Sequence, residues 1–260
     1  MYSGYFARDT QYLKKNELFK YFISFFFLWI FILSGCGPKE DPTLAMERKM
    51  VAGGVEILRS GTPVERDSVI RTFYQLTNPG LLHPFLVDTD PNVLIGMVSA
   101  LGYLKDKTAA AALADLLKKT SEYLLQETVI YALGEIADTS SVPLLVGMLE
   151  DKTTRRDLRL SIPITLASFS KTEAAGKVEQ AFIKILESDS DDLELCSYIA
   201  VGILEILNPG NADLFRKYTP LLRQMAERRK AESGEDGIWT NFQLTIQELE
   251  NYKTPAISQR

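Results

Sequence analysis

The feature that most constrains this chain is an internal repeat. Five segments align with one another, and their equivalent positions are separated by steps of 28, 32, 34 and 34 residues. These positions are Tyr74, Gly102, Gly134, Ser168 and Gly202. A period of this length is typical of a solenoid, in which each repeat buries its apolar face only by stacking on its neighbours. The repeat therefore predicts a stack of similar small units.

Each copy of the repeat contains two apolar segments separated by a polar turn. In the copy that begins at Glu127, ETVIYALGEIADTSSVPLLVGMLED, the second segment carries Val142, Leu145 and Leu149. Spacings of three and four residues place these side chains on one face of a helix. The turn residue Asp138 is a natural N-cap for this second helix, because its carboxylate can accept from free backbone N–H groups. No alternating apolar and polar run of useful length predicts a strand, so the copies are expected to be helical hairpins.

Small residues recur near the end of the first helix of several copies. Gly102, Gly134 and Gly202 share one register of the repeat. Glycine inside a helix costs up to about 1 kcal/mol relative to alanine. Its recurrence is therefore better explained by close packing, in which the absence of a Cβ lets neighbouring helix backbones approach each other.

The motifs A-L-G-x-I/L-x-D and L-x-x-L-L resemble those of HEAT repeats, in particular the short HEAT-like repeats of phycobilisome lyases. The resemblance covers roughly residues 63–230. It implies an all-α fold, a right-handed α-α superhelix of about five helix pairs. We expect capping helices at both ends, one over residues 43–62 and one within residues 231–251 after a short linker. Residues 252–260 are expected to form a flexible tail.

The amino-terminal region has the composition of an export signal. Its apolar run, Tyr21–Leu33, is thirteen residues long, whereas a helix that crosses a bilayer needs roughly 20. Lysines precede the run at Lys14, Lys15 and Lys20, as in the positive region before a secretory apolar core. The length and the charges together favour a signal peptide over a membrane-spanning helix.

The sequence Leu33-Ser34-Gly35-Cys36 resembles the lipobox of bacterial lipoproteins. The resemblance implies that residues 1–35 are a signal peptide removed by a peptidase, and that Cys36 carries acyl chains such as palmitate. Two or three such chains anchor a protein stably. Residues 36–42 would then be a short polar tether at the membrane of the bacterial cell envelope. Ordinary secretion and an uncleaved amino-terminal anchor remain alternatives, and the sequence does not distinguish the inner from the outer membrane.

Charge and cysteine usage exclude some classes of protein. Of 29 basic and 34 acidic residues, four and two lie in residues 1–35, which leaves a net charge of −7 after cleavage. This acidity argues against a nucleic-acid-binding protein, which normally has a basic face. The second cysteine, Cys196, has no partner for a disulfide if Cys36 is acylated. It lies among apolar residues, which predicts a buried thiol.

Residues that could perform chemistry are scarce. His83 is the only histidine and is expected at a turn or a helix start with a local hydrogen bond. The carboxylates Asp189, Asp191 and Asp192 suggest a calcium site at first sight, but they lack the glycine and the distal glutamate of an EF-hand loop. Nucleophile elbows, phosphate-binding loops and zinc motifs are absent from the sequence. We therefore predict no catalytic residues, no metal and no cofactor.

Aromatic and basic residues point to no ligand site of their own. The tyrosines and phenylalanines of the repeats fall mostly on the apolar stripes, where they are expected to lie in the core. Arg155 and Arg156 precede one helix, and residues 228–230 end another. Cations near a helix carboxyl terminus interact favourably with its dipole, so solvated caps are expected. A lipid-headgroup or anion site is the alternative.

The pattern as a whole favours an interaction protein. We expect a membrane-tethered, non-enzymatic scaffold or assembly factor whose partner is an envelope protein of unknown identity, because solenoids expose extended surfaces. A fold does not by itself determine a function. The alternative is a HEAT-like enzyme, or a binder of a small hydrophobic ligand or cofactor in the solenoid groove.

Overall fold

The computed structural model describes residues 41–252, and its regular structure there is entirely helical. The predicted signal peptide, the cysteine at position 36 and the tail beyond Tyr252 lie outside these residues. Contacts divide the chain into residues 1–46 and 47–260, and the repeats belong to the second unit. The α-helices of residues 41–252 are α1 (Pro42–Ser60), α2 (Pro63–Phe73), α3 (Pro91–Tyr103), α4 (Ala110–Lys119), α5 (Tyr123–Ile136), α6 (Val142–Glu150), α7 (Arg156–Ala167), α8 (Ala175–Ser188), α9 (Leu193–Ile206), α10 (Ala212–Arg216), α11 (Thr219–Ser233) and α12 (Gly237–Asn251).

The helices form two layers. The first helices of successive repeats, α2, α3, α5, α7 and α9, each pack against the next, and α12 continues this layer beyond α9. Each second helix packs against the first helix that comes after it in the chain: α4 against α5, α6 against α7, α8 against α9, and α11 against α12. The prediction of an all-α, HEAT-like solenoid built from adjacent helix pairs is confirmed.

The core lies between the two layers and is continuous through the stack. Five phenylalanines of the described residues are completely buried in it: Phe73, Phe169, Phe182, Phe215 and Phe242. Leucine, isoleucine and valine from both helices of each pair fill the rest. Each repeat therefore contributes apolar side chains that only its neighbours can cover, as expected for a stack.

The polar turns perform the capping role predicted from the sequence. The Asp106 carboxylate accepts a hydrogen bond from the backbone N–H of Thr108 at 3.0 Å. In the next repeat, Asp138 accepts from the N–H of Ser140, also at 3.0 Å. Each aspartate begins a short 3-10 turn that leads directly into the second helix. The side chains thus satisfy N–H groups that have no partner within the helix.

Glycines allow the first helices to approach closely. A Cβ added to Gly102 would lie 2.8 Å from both Cα and Cβ of Ala132, on the next first helix. At Gly134 it would lie 2.8 Å from Cγ2 of Thr165, one repeat further on. At Gly202 it would meet the ring of Phe182 at 2.9 Å. Close packing at these three positions, inferred from their shared register, is present in the structure.

The first repeat departs from the others in its second segment. Residues 79–87 form two 3-10 turns, Pro79–Leu81 and His83–Val87, where the other repeats have an α-helix. Pro79 and Pro84 lie in these turns, and proline lacks the N–H that an α-helix interior requires. The turn His83–Val87 nevertheless packs against α3 and α4. It therefore occupies the place of a second helix in the stack.

Candidate functional site

Five of the large apolar side chains that are exposed among the described residues lie on successive helices of the first layer, from α3 to α12. They are Tyr103 on α3, Tyr131 on α5, Ile164 on α7, Tyr198 on α9 and Leu244 on α12. Tyr131 is 66% exposed and Tyr103 is 59% exposed. An isolated exposed apolar side chain needs no explanation, but a contiguous exposed apolar patch marks an interaction surface. We call these five residues the exposed row.

The exposed row continues into the first repeat through an aromatic stack. The rings of Tyr74 and Tyr103 lie with their centroids 3.9 Å apart and their planes 13° from parallel. Tyr74 is only half-buried. The two tyrosines therefore stack on each other at the surface and extend the aromatic character of this side of the solenoid.

A groove lies in the middle of the exposed row. Its volume is about 520 Å³. Residues of four first helices line it: Ser99, Glu127, Thr128, Ile130, Tyr131, Leu160, Ser161, Ile164, Thr165 and Tyr198. Ile130 and Thr165 are buried and form its floor, whereas Tyr131, Ile164 and Tyr198 are exposed and form its walls. The groove is thus a property of the stack, since no single repeat supplies it.

The local sequence explains why a groove is present at this place. Ser99 and Ser161 have small, half-buried side chains at positions that face the groove, so they leave space that a leucine would fill. Gly134 brings α5 and α7 together at the carboxyl end of α5. The larger side chains of Tyr131, Ile164 and Tyr198 then form the walls of the groove.

The first helices that line the groove are net acidic. The helices α3, α5, α7 and α9 carry five carboxylates and two guanidinium groups: Glu127, Glu135, Asp157, Glu194 and Glu205, with Arg156 and Arg159. Arg159 is buried, and Arg156 binds Asp192 and Glu194, in each case at 2.9 Å. The charge of Glu135, together with burial, raises the pKa of Tyr131. The negative charge near the groove is therefore only partly compensated.

The phenylalanines of the repeats lie in or against the core as predicted, but Tyr103, Tyr131 and Tyr198 are exposed. The signal that was missed is the position of each exposed residue relative to the buried face of its helix. In α5 the buried residues include Val129, Ile130 and Leu133, and Tyr131 lies between them on the opposite side of the helix. A helical projection of α5, α7 and α9 would have shown Tyr131, Ile164 and Tyr198 outside the buried stripe.

His83 lies at a helix start, as predicted, but its partner comes from the next repeat. Its Nε2 lies 2.6 Å from Oδ2 of Asp106. Burial of Asp106 opposes ionisation, but hydrogen bonds from Thr108 and His83 outweigh it and lower the pKa of Asp106. The pair joins the turns of the first two repeats.

The three carboxylates at positions 189, 191 and 192 are each paired with cations. Asp189 is buried between Arg159, whose Nη2 lies 2.7 Å away, and Lys152. Burial raises the pKa of Asp189, but the hydrogen bonds from these two cations outweigh it, so the net shift is downward. Asp192 also accepts from the N–H of Leu195 and caps α9. Within residues 41–252, no group of three or more His, Cys, Asp or Glu side chains is arranged to hold a metal ion.

The two basic clusters are likewise engaged in contacts. The guanidinium of Arg155 lies 4.2 Å from the ring centroid of Tyr123. At the end of α11, Arg228 pairs with Asp191 at 3.0 Å and Arg229 with Asp236 at 2.6 Å. These cations therefore bind neighbouring side chains of the same chain.

Cys196 lies in the core. Its side chain is completely buried in α9, and its Sγ lies 3.4 Å from the backbone oxygen of Asp189. Burial raises the pKa of the thiol to about 12. The thiolate is therefore not populated near neutral pH.

Comparison with known proteins supports the repeat assignment for part of the chain. A family model of HEAT repeats matches residues 78–162. This range runs from the turns of the first repeat through α3, α4, α5 and α6 into α7, and it includes most of the groove lining. No curated protein matches the chain significantly. None of the helices within residues 41–252 has the length and hydropathy required to cross a bilayer.

Proposed function

We propose that this chain is a protein-interaction scaffold or assembly factor of the bacterial cell envelope, that acyl chains on Cys36 tether it to a membrane, and that it is not an enzyme. HEAT-like repeats suggest a protein-interaction scaffold in general terms. The observation that carries the proposal is the groove with its exposed row, which spans several repeats and offers an apolar surface to a partner.

The non-enzymatic part of the proposal is supported by the places of the reactive side chains. His83 pairs with a carboxylate of the neighbouring turn, and Cys196 is buried with a pKa too high for a nucleophile. Neither lies in the groove. The groove lining consists of apolar, hydroxyl and single carboxylate side chains, which favours binding over chemistry.

The tether is supported by the sequence around Cys36 and is tested by labelling. Cells that express the full chain are grown with an alkyne-tagged palmitate analogue, and the label is detected after purification. The wild type and Cys196→Ala, the matched cysteine control, should be labelled and should sediment with membranes. Cys36→Ala should lose both properties. Label that persists on Cys36→Ala would contradict the tether.

A second candidate function is favoured by the size of the groove. Pockets for small ligands measure roughly 300–1,000 Å³, and the groove falls within this range at about 520 Å³. Chemical crosslinking in intact cells and native mass spectrometry of the purified chain separate the two functions. Specific crosslinks to an envelope protein support the scaffold, and a co-purifying small molecule with no protein crosslink supports a ligand binder.

A further inference from the structure

We infer that the groove binds an amphipathic helix of a protein partner, with apolar side chains between Tyr131, Ile164 and Tyr198 and with basic side chains facing Glu127, Glu135 and Glu205. This inference rests on the proposed scaffold function and specifies its binding site and the chemistry of its partner. Three features of the described residues carry it: the spacing of the apolar walls, the charge around them and the chemistry of the lining.

The spacing of the walls suits a helix that lies along the stack. Tyr131, Ile164 and Tyr198 come from three successive first helices, and packed helices lie about 8–10 Å apart. On a helix that crosses all three, residues i and i+7 are separated by roughly 10.5 Å, from a rise of 1.5 Å per residue. Apolar residues that recur every seven positions on such a helix would therefore lie close to successive walls.

The charges around the groove select a basic partner. Glu127 lines the groove, and its carboxylate accepts only the Tyr123 hydroxyl, at 3.2 Å, among the hydrogen bonds of the described residues. Glu135 has Lys105 at 3.9 Å, a loose and exposed contact. Glu205 is exposed on α9 and forms no ion pair within residues 41–252. Electrostatic complementarity of this kind steers association and excludes partners of like charge.

The second helices provide a contrasting surface in the same molecule. Exposed basic side chains there include Lys118, Lys119 and Lys184. Lys118 lies 3.5 Å from Asp115 on the same helix. The second helices α4, α6, α8 and α11 carry eight basic and six acidic side chains, so they are net basic whereas α3, α5, α7 and α9 are net acidic. Asp115 offers a control position for charge reversal away from the groove.

Other occupants fit the groove less well. A second copy of this chain that docked by the same face would bring the carboxylates of α5 and α9 against themselves. A carbohydrate stacks on free aromatic faces and needs many polar partners, whereas Tyr74 and Tyr103 cover each other's faces and the groove walls are mainly apolar. A helix with both apolar and basic residues matches the walls and the rim together.

The test uses the full chain and three synthetic helical peptides. The first has leucine at every seventh position with a second leucine beside it, and lysine along the flanks. The second replaces the lysines with glutamate, and the third replaces the leucines with serine. Binding is measured by fluorescence anisotropy in physiological salt. We expect the first peptide to bind at least tenfold more tightly than either of the others.

Variants of the chain assign the binding to the groove. Glu127→Lys with Glu135→Lys should weaken binding of the lysine peptide at least tenfold and should bind the glutamate peptide better than the wild type does. Ile164→Lys should weaken the binding of the lysine peptide and of the glutamate peptide. Asp115→Lys, the control on α4, should leave binding within twofold. Circular dichroism verifies the folding of each variant, and Glu135→Lys alone replaces the double variant if the latter unfolds. Equal losses in the control and the groove variants would refute the inference.

A crosslinking experiment in cells tests the same inference with the natural partner. A photoreactive phenylalanine analogue at Tyr131 is activated in intact cells, and the crosslinked peptide is sequenced. We expect a basic, amphipathic segment with apolar residues seven apart, and we expect its loss in Glu135→Lys. A crosslinked segment that is acidic, a crosslinked glycan, or a second copy of the chain would overturn the inference. Crosslinks that form from the same analogue placed at Asp115 on α4, with none from Tyr131, would refute this site and leave the scaffold function intact.

Discussion

The substitution Gly102→Ala tests whether the stack depends on close approach of the first helices. A Cβ at position 102 would lie 2.8 Å from two atoms of Ala132, one of which is a backbone Cα. Real Cβ atoms do not come this close to a neighbour, so α3 and α5 would have to separate. Gly147 on α6 is a matched control, because a Cβ there would have no neighbour within 4 Å.

The two substitutions share one energetic term and differ in another. Alanine is favoured over glycine in a helix by about 1 kcal/mol, and both glycines lie within helices. Gly147→Ala should therefore stabilise the chain by about 0.5–1 kcal/mol. Gly102→Ala gains the same term but adds the cost of inserting a methyl group into a packed interface, typically about 1–3 kcal/mol. We expect Gly102→Ala to be less stable than Gly147→Ala by about 1–3 kcal/mol.

Urea denaturation followed by far-ultraviolet circular dichroism measures this difference. The comparison uses the transition midpoints, on the condition that the slope of the transition is the same in both variants. A midpoint of Gly102→Ala that equals or exceeds that of Gly147→Ala would show that the first helices are not held in close contact at this position. The packing explanation for the recurrent glycines would then be wrong.

Single residues carry three further predictions. Lys105 has a left-handed backbone with φ of 53°, so Lys105→Gly should raise the unfolding free energy by about 1 kcal/mol, and an equal gain for Lys105→Ala would contradict this. Cys196 should not react with Ellman's reagent at pH 8 in a Cys36→Ala chain until urea unfolds it, because burial raises its pKa to about 12; rapid reaction of the native chain would contradict burial. Asp189→Asn should cost about 3 kcal/mol at pH 7, because it leaves buried Arg159 without its charge partner. The folded-state pKa of Asp189 is lowered. Its ionised form therefore contributes to the free energy of unfolding above the unfolded pKa of about 3.9, and this contribution is lost as the pH falls from there through the folded pKa. If the free energies of unfolding of the wild type and Asp189→Asn differed by a constant amount down to pH 2, this assignment would be refuted.

The fold was predictable because its signal repeats. Several sequence signals recur in more than one copy of the repeat: the glycine register of Gly102 and Gly134, the capping aspartates and the apolar spacing. Because each signal is repeated, a match that arises by chance at one position has little effect on the prediction. The exception is residues 79–87, where Pro79 and Pro84 replace the helix by 3-10 turns. An alignment of the repeats predicts the secondary structure that most copies share. The prolines of a particular copy can change its secondary structure locally.

The groove was not predictable in the same way, because residues of four first helices line it, and the ion pairs between repeats were equally out of reach of the sequence. The neighbours of Asp189 in sequence indicate a helix start, yet its partner Arg159 lies thirty positions earlier. The pairing of His83 with Asp106 likewise spans two turns. Contacts of this range arise from the packing of helices and not from local spacing.

The structure also shows why the groove should tolerate substitution without loss of the fold. The core lies between the layers, whereas Tyr131 and Tyr198 project from the outer side of the first helices and are exposed. Tyr131 is 66% exposed, so its replacement removes little buried area and stability should hardly change. Folding alone therefore does not require a large apolar residue in contact with water at position 131. The partner binding proposed above would give the exposed row a role, and the stacking of the first helices fixes the spacing of its side chains.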